Sequence, residues 1–155
     1  MKDFILISPW SKQLRDKSCN PKNYPWWPEV IRRLKMDYDI VQIGVQGEEK
    51  LTEDFRVNLP LVDVKVLIQE CYVWISVDNF LPHLAHLIEK SGIVIWGISD
   101  PLVFGYSNNI NLLKSRKNLR ENQFYIWEGI KYNPSVFVSP DAVLSAVENY
   151  SLNTR

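Results

Sequence analysis

The sequence predicts an α/β domain built on a mostly parallel sheet with helices on both faces, three layers in all. Three observations carry this. Short apolar runs alternate with amphipathic stretches in the order strand, helix, strand, helix, strand, helix, strand. The runs are apolar along their length and do not alternate residue by residue, as expected of strands buried on both faces. Glycine, proline and polar residues punctuate the junctions. At 155 residues the chain is expected to form one domain, 1–155, around one substantial core.

Taken in order, "DFILIS" (3–8) is a short apolar run that stops at Ser8-Pro9 and reads as a buried strand entering a loop. The loop over 9–27 is long, polar and rich in proline, and loops of that length in compact domains are more often functional than idle. Trp10, Trp26 and Trp27 lie beside prolines there, as aromatics packed on a rigid loop do; a wall for a planar ligand is the alternative. Residues 27–35 carry Val30, Ile31 and Leu34 at helical spacing, with Pro28 in the first turn. "YDIVQIGV" (38–45) is the next strand, and 51–61 a weaker stretch holding a short helix or strand and a turn. Residues 61–71 read as a helix with Val62, Val66 and Leu67 on its apolar face. "YVWISV" (72–77) is a strand, 82–92 a helix closed by Gly92, and "IVIWGI" (93–98) a further strand. Residues 99–113 are loop-like, with "NINLL" a candidate edge strand. Residues 139–150 form a helix with Ser139 at its N-cap, Pro140 in first position and Asp141 in the first turn.

Composition narrows the function classes. Eighteen basic and eighteen acidic residues cancel, so the chain lacks the electrostatic footprint of a non-specific nucleic-acid binder. No apolar run approaches the roughly 20 residues that span a bilayer, and Met1-Lys2-Asp3 leads straight into a strand. Cys19 and Cys71 lack the spacing of a zinc site or of a disulfide framework. A soluble, cytoplasmic chain in a reducing compartment is the expectation.

In a parallel sheet the ligand crevice lies outside the carboxyl ends of the strands, so the informative residues are those just after each strand: 8–12, 46–49, 78–83 and 97–100. In "WISVDNFLPHLAHLIEK" (74–90) both histidines of the chain follow Asp78. His83 falls in the first turn of the expected helix, where an imidazole can hydrogen-bond a phosphate; local capping or packing is the alternative. His86 reads as a residue of the solvent face. A metal site from Asp78, His83 and His86 lacks a further convincing ligand. In "GISDPLVFGYSNN" (97–109) two glycines flank Ser99, Asp100 and Pro101, giving either a loop that approaches a ligand or an ordinary structural one. The first loop brings Ser8, Ser11, Lys12, Arg15, Lys17 and Lys22, cations that suit a diphosphate or form a solvated surface. Glu48 and Glu49 are of the kind that grips ribose hydroxyls, and equally of the kind found on surfaces. Gly44 and Gly47 do not form a phosphate-binding fingerprint, and no triad signature is present.

These residues resemble the C-terminal, nucleotide-sugar-binding half of the heptosyltransferase group, glycosyltransferase family 9. The family has a strand, an aspartate, a small-residue turn and "HLA", matched here by "SVDNFLPHLA" (76–85). Its following helix, glycine-ended strand and proline loop are matched by "IVIWGISDPLVFGY" (93–106), and its opening by "LISPWS", Lys22 and "WWPEVIRRL". "IGVQGEE" (43–49) corresponds to its glycine-rich strand end with an acidic residue, and the likeness covers residues 3–115.

The fold this implies is a single Rossmann-like domain, one half of a two-domain GT-B glycosyltransferase. Asp78, Asn79, Phe80 and His83 would line the diphosphate and sugar pocket, Ser8, Ser11 and Lys22 would face the phosphates, and Glu48 or Glu49 the ribose. The nucleotide-sugar is then substrate or ligand; no cofactor and no divalent metal are expected. Two departures stand out. The family's Asp-Ser/Thr-Gly is here Asp78-Asn79-Phe80. The family's N-terminal domain, which supplies the acceptor site and the catalytic base, has no counterpart in these residues. The expected function is a glycosyltransferase-like domain acting with a partner chain or as a homo-oligomer. The alternatives are a non-catalytic binder of a nucleotide or nucleotide-derived signal and, behind it, a small nucleoside-processing enzyme.

Overall fold

The computed structural model of the chain describes residues 2–125 and 127–153. Six strands, β1 (Phe4–Ser8), β2 (Asp39–Gly44), β3 (Asp54–Val57), β4 (Val73–Val77), β5 (Ile93–Trp96) and β6 (Ile110–Leu113), form one sheet in the order β3-β2-β1-β4-β5-β6. Every pairing is parallel. The helices are α1 (Trp27–Leu34), α2 (Leu61–Glu70), α3 (Leu81–Leu87), α4 (Pro101–Phe104) and α5 (Pro140–Asn153).

Alternation along the strands builds two cores. Ile5, Ile7, Val73, Ile75, Ile93 and Ile95 face one side, where α1 and α5 cover them with Val30, Ile31, Leu34, Val143 and Val147. Leu6, Trp74, Val94 and Trp96 face the other, covered by Val64, Leu67 and Ile68 of α2 and by Leu81, Leu84 and Ala85 of α3. Removing each such aliphatic side chain from water contributes about 1.5–3 kcal/mol, which is why uninterrupted apolar strands settle between two helical layers.

The long first loop is packed. Tyr24 is fully buried, edge-on to Trp26, Trp27 and Phe137, and its hydroxyl donates to the Val138 carbonyl at 3.0 Å. Residues 45–53 join β2 to β3 without a helix. The buried Gln42 organises that crossover, donating to the Glu49 carbonyl (2.9 Å) and accepting from the Leu51 N–H (2.7 Å).

Three expectations change. The buried face of α2 is Val64, Leu67 and Ile68, while Val62 and Val66 are exposed. Apolar residues on more than one face made the helix ambiguous, and the stripe that continues into buried Cys71 wins. Helix α3 starts at Leu81 and stops at Leu87. Glu89, with φ of 60°, ends it in a Schellman arrangement: the Lys90 N–H bonds the Ala85 carbonyl and the Glu89 N–H that of His86. Gly92 serves a different purpose, since a Cβ there would lie 2.2 Å from the buried Trp74 ring. Within 99–113, Pro101–Phe104 forms a short helix capped by Asp100, whose carboxylate accepts from the Leu102 N–H at 2.9 Å. The edge strand expected in "NINLL" is β6. No helix among the described residues is long and apolar enough to cross a membrane.

Candidate functional site

The strand order reverses between β1 and β4, so the loops that leave them diverge and open a crevice. A cleft of about 670 Å³ occupies it, bounded by the ends of β1, β2 and β4 and by the first turns of α2 and α3. Asn79 ties its two sides together. Its side-chain amide donates to the Ser8 hydroxyl (2.9 Å) and lies within hydrogen-bond distance of the Ser8 and Trp10 carbonyls (3.1 and 3.2 Å). Its carbonyl accepts from the Leu81 N–H at 3.0 Å. The residue that replaces a small hydroxyl in the resembled family is therefore a structural tie, and Phe80 beside it stands half-exposed on the cleft wall.

Charge gathers at the cleft. Lys22 Nζ sits 3.0 Å from Asp78 Oδ2, with only 15 and 14% of the two side chains exposed. The same ammonium lies 4.3 Å from the centre of the Trp127 ring, and Lys12 approaches that ring at 5.7 Å while pairing with Glu128 at 2.9 Å. The bond from Lys12 holds the Glu128 carboxyl below the usual range. Arg120 donates to the carbonyls of Gln123 and Tyr125, and its buried Nε has no partner among the described residues. Burial lowers the Arg120 pKa against the opposing pull of the Asp78 charge.

Glu48 turns back on its own strand end. Its carboxylate accepts from the Val45 N–H at 2.7 Å, and burial pushes its pKa up. A Cβ at Gly44 would lie 2.2 Å from that carboxylate, so a larger residue there would displace the Glu48 side chain. Glu49 does not line this cleft; its backbone carbonyl accepts from the Trp10 indole at 3.0 Å. An adjoining cavity of about 710 Å³ shares Trp10, Ser11, Lys12 and Glu48 with the cleft and continues to Lys17, Asn20 and Tyr132. Ser11 is buried on the shared wall, its N–H held by the Asn23 side chain at 2.8 Å. Arg15 lines neither cavity.

His83 lies on the cleft with Nδ1 2.8 Å from the Tyr106 hydroxyl. His86 stacks face to face on the Tyr106 ring at 3.9 Å, a definite contact for a residue expected only to face solvent. Among the described residues, no three of His, Cys, Asp and Glu gather as a metal site would need.

Of the sequence-derived candidates, Ser8, Ser11, Lys12, Lys22, Glu48, Asp78, Asn79, Phe80 and His83 meet at one cleft. Asp100 does not line it. Its carboxylate caps α4 and takes two hydrogen bonds from Arg116, at 3.0 and 2.7 Å, which hold it below the usual carboxylate range. Arg120 and Trp127 line the cleft and the Tyr106 hydroxyl lies 2.8 Å from His83 Nδ1, yet none of the three was legible in the sequence. All three come from 105–128, where no periodicity marks a position; the aromatic run "FYIW" (124–127) was the one available signal.

The assembled groups can hold an anion between cations and seat a flat ring against tryptophan. No protein-family model and no curated protein matches the chain. Solved structures do. ADP-heptose lipopolysaccharide heptosyltransferase II of E. coli superposes with a TM-score of 0.62 at 15% identity, over 97% of this chain and 48% of that one. The dodecameric iron-containing glycosyltransferase TibC of enterotoxigenic E. coli H10407 gives 0.60 at 21%, over 90% of this chain and 37% of its own. TibC in complex with ADP-D-beta-D-heptose gives 0.57 at 18%, over 90 and 36%. The likeness is one of fold, and the chain spans less than half the length of each of these proteins.

Proposed function

We propose that this chain binds a nucleoside diphosphate sugar in the cleft between the ends of β1 and β4. The carrying observation is the Lys22–Asp78 pair at 3.0 Å, largely buried in a cleft that Lys12 and Arg120 also line. A diphosphate is the ligand class that three clustered cations match. Lys22 and Lys12 hold the phosphates with His83, and Asp78 takes sugar hydroxyls through the carboxylate oxygen that Lys22 leaves. Glu48 takes the ribose after turning from the Val45 N–H, and Trp127 or Trp10 provides a ring face. The heptosyltransferase folds, one of them a complex with ADP-D-beta-D-heptose, support this ligand class.

Transfer of the sugar requires an acceptor and a base. Asp78 and Glu48 already have partners in Lys22 and the Val45 N–H. The reading is therefore of a glycosyltransferase-like domain whose acceptor side comes from a partner chain or a second copy. The same engagement of both carboxylates favours a second reading, a binder that captures a nucleotide without turnover.

The test is thermal shift and calorimetry with a panel of nucleosides, nucleoside diphosphates and nucleotide-sugars. Stabilisation by the diphosphates and their sugars, absent with nucleosides and weakened in Lys22→Met, is the expected result. Sugar release from a bound nucleotide-sugar selects the enzyme; tight binding without release selects the binder. No shift with any nucleotide overturns both.

A further inference from the structure

We propose that Tyr106 is a positioning residue for His83, itself held by His86, and that the three form one unit presenting the His83 Nε2–H to the cleft. The binding arm rests on the phosphate reading above; the geometry stands apart from it. His83 and His86, three residues apart on α3, are neighbours on its surface. The Tyr106 ring enters between them, edge-on to His83 (5.6 Å between centres, 79° between planes) and face-on to His86 (3.9 Å, 12°). Its backbone is fixed: the Tyr106 carbonyl accepts from the Asn111 side chain (3.0 Å) and the Asn109 N–H (3.1 Å). Gly105 permits the approach, because a Cβ there would lie 2.6 Å from the Pro101 carbonyl oxygen.

An imidazole has two polar atoms. Nδ1 lies 2.8 Å from the phenol oxygen, and Nε2 has no hydrogen-bond partner among the described residues, so Nε2 is the atom left for a ligand. In neutral His83 one nitrogen carries the proton and the other accepts. With the tyrosine hydroxyl donating to Nδ1, the proton sits on Nε2 and the cleft meets a donor suited to a phosphoryl oxygen. The other tautomer would turn a lone pair toward the anion. The stacked His86 ring fixes the plane of the phenol and so the direction of its O–H.

The test is nitrogen-15 NMR of the histidine rings in the whole chain, alongside ADP and adenosine titrations. In the unmodified protein His83 should show a protonated Nε2 and an accepting Nδ1. In Tyr106→Phe the Nδ1 resonance should move toward that of an unbonded nitrogen. ADP affinity should then fall about two- to tenfold, the worth of one hydrogen bond, with adenosine unaffected. Tyr106→Phe added to His83→Ala should cost nothing further, since Tyr106 acts only through that ring. His86→Phe, which keeps a stacking ring, should retain affinity better than His86→Ala. A proton on Nδ1 in the unmodified protein, an unmoved resonance in Tyr106→Phe, or additive losses in the double variant would each overturn the proposal. Failure of the unmodified chain to bind ADP would sink the phosphate reading and the donor role, while the ring spectra would still decide whether Tyr106 sets His83.

Discussion

The Lys22–Asp78 pair offers the sharpest test of how the cleft is built. Asp78→Asn keeps the side-chain shape and removes the charge, leaving Lys22 mostly buried against the Trp127 face without its counter-charge. Two unit charges 3.0 Å apart attract by about 5.5 kcal/mol at an effective dielectric constant of about 20, a ceiling before desolvation is subtracted. Breaking a fully buried pair costs about 3–5 kcal/mol. With 15 and 14% of these side chains still in water, about 2–3 kcal/mol is expected for Asp78→Asn. Lys22→Met should cost less, about 1–2 kcal/mol, because the Asp78 carboxylate still acts on Arg120. The double variant should then regain about 1–2 kcal/mol over the sum of the singles.

Urea denaturation of the four proteins measures this coupling. Calorimetry with ADP supplies the functional half: Asp78→Asn frees Lys22 and adds one net positive charge, so affinity for a bare diphosphate should rise, and Lys22→Met should lower it. A coupling below about 0.5 kcal/mol, the range of exposed surface pairs, would refute the buried-pair argument. Weaker ADP binding by Asp78→Asn would refute the view that Asp78 competes with phosphate for Lys22.

Other consequences follow from single contacts. Gly92→Ala drives a methyl group to 2.2 Å from the fully buried Trp74 ring and should cost about 1–3 kcal/mol by denaturant melting, with altered tryptophan emission. Glu48→Gln removes a half-buried charge and keeps an acceptor for the Val45 N–H. Because burial raises the folded-state pKa, the native state binds the proton more tightly, and the stabilising effect of protonation fades as pH climbs from 4.5 through that raised value. The variant should accordingly melt higher than the unmodified chain at neutral pH and match it below 4.5, while losing nucleotide affinity. Asp100 has the opposite sign: its lowered pKa contributes stability above 3.8 that is lost as pH falls. Asp100→Asn, which still caps α4, should cost under about 1 kcal/mol, and Asp100→Ala about 1 kcal/mol more through loss of the cap; acid titrations of melting temperature would separate the two.

The sequence carried the cleft's location because a parallel sheet brings all its carboxyl ends to one edge, whatever the register. Residues just after each apolar run therefore converge even when element boundaries shift, and Ser8, Glu48, Asp78 and His83 do. What the strand pattern could not give is which polar atoms remain available. Asn79 spends its amide on Ser8 and Trp10, Glu48 its carboxylate on Val45, and Asp100 its own on Leu102 and Arg116. Asp100 was partly readable, since an aspartate before proline at a strand exit is a helix start as well as a loop.

The helix expected over 61–71 is α2, but its buried face was misassigned at Val62 and Val66, because its apolar residues occupy two faces and only the partner surface chooses between them. Residues 105–125 form an irregular excursion after α4, interrupted by β6 and a short 3-10 turn, and Arg120 within it and Trp127 beyond it line the cleft. It is pinned by Gln123, which bonds the Asp100 N–H and the Ile98 carbonyl, and by Arg120, whose N–H bonds the Ile98 carbonyl. These are contacts between residues far apart in the chain, and no local pattern encodes them. They nonetheless set Trp127 beside Lys22 and bring Tyr106 to His83, so the chemistry of the strand ends depends on a segment whose own sequence looks like filler. The Asn79-Phe80 departure belongs to the same logic. With Asn79 locking β1 to β4, the turn gives no small flexible phosphate cradle, and under the proposed function anion binding would fall to Lys22, Lys12 and His83.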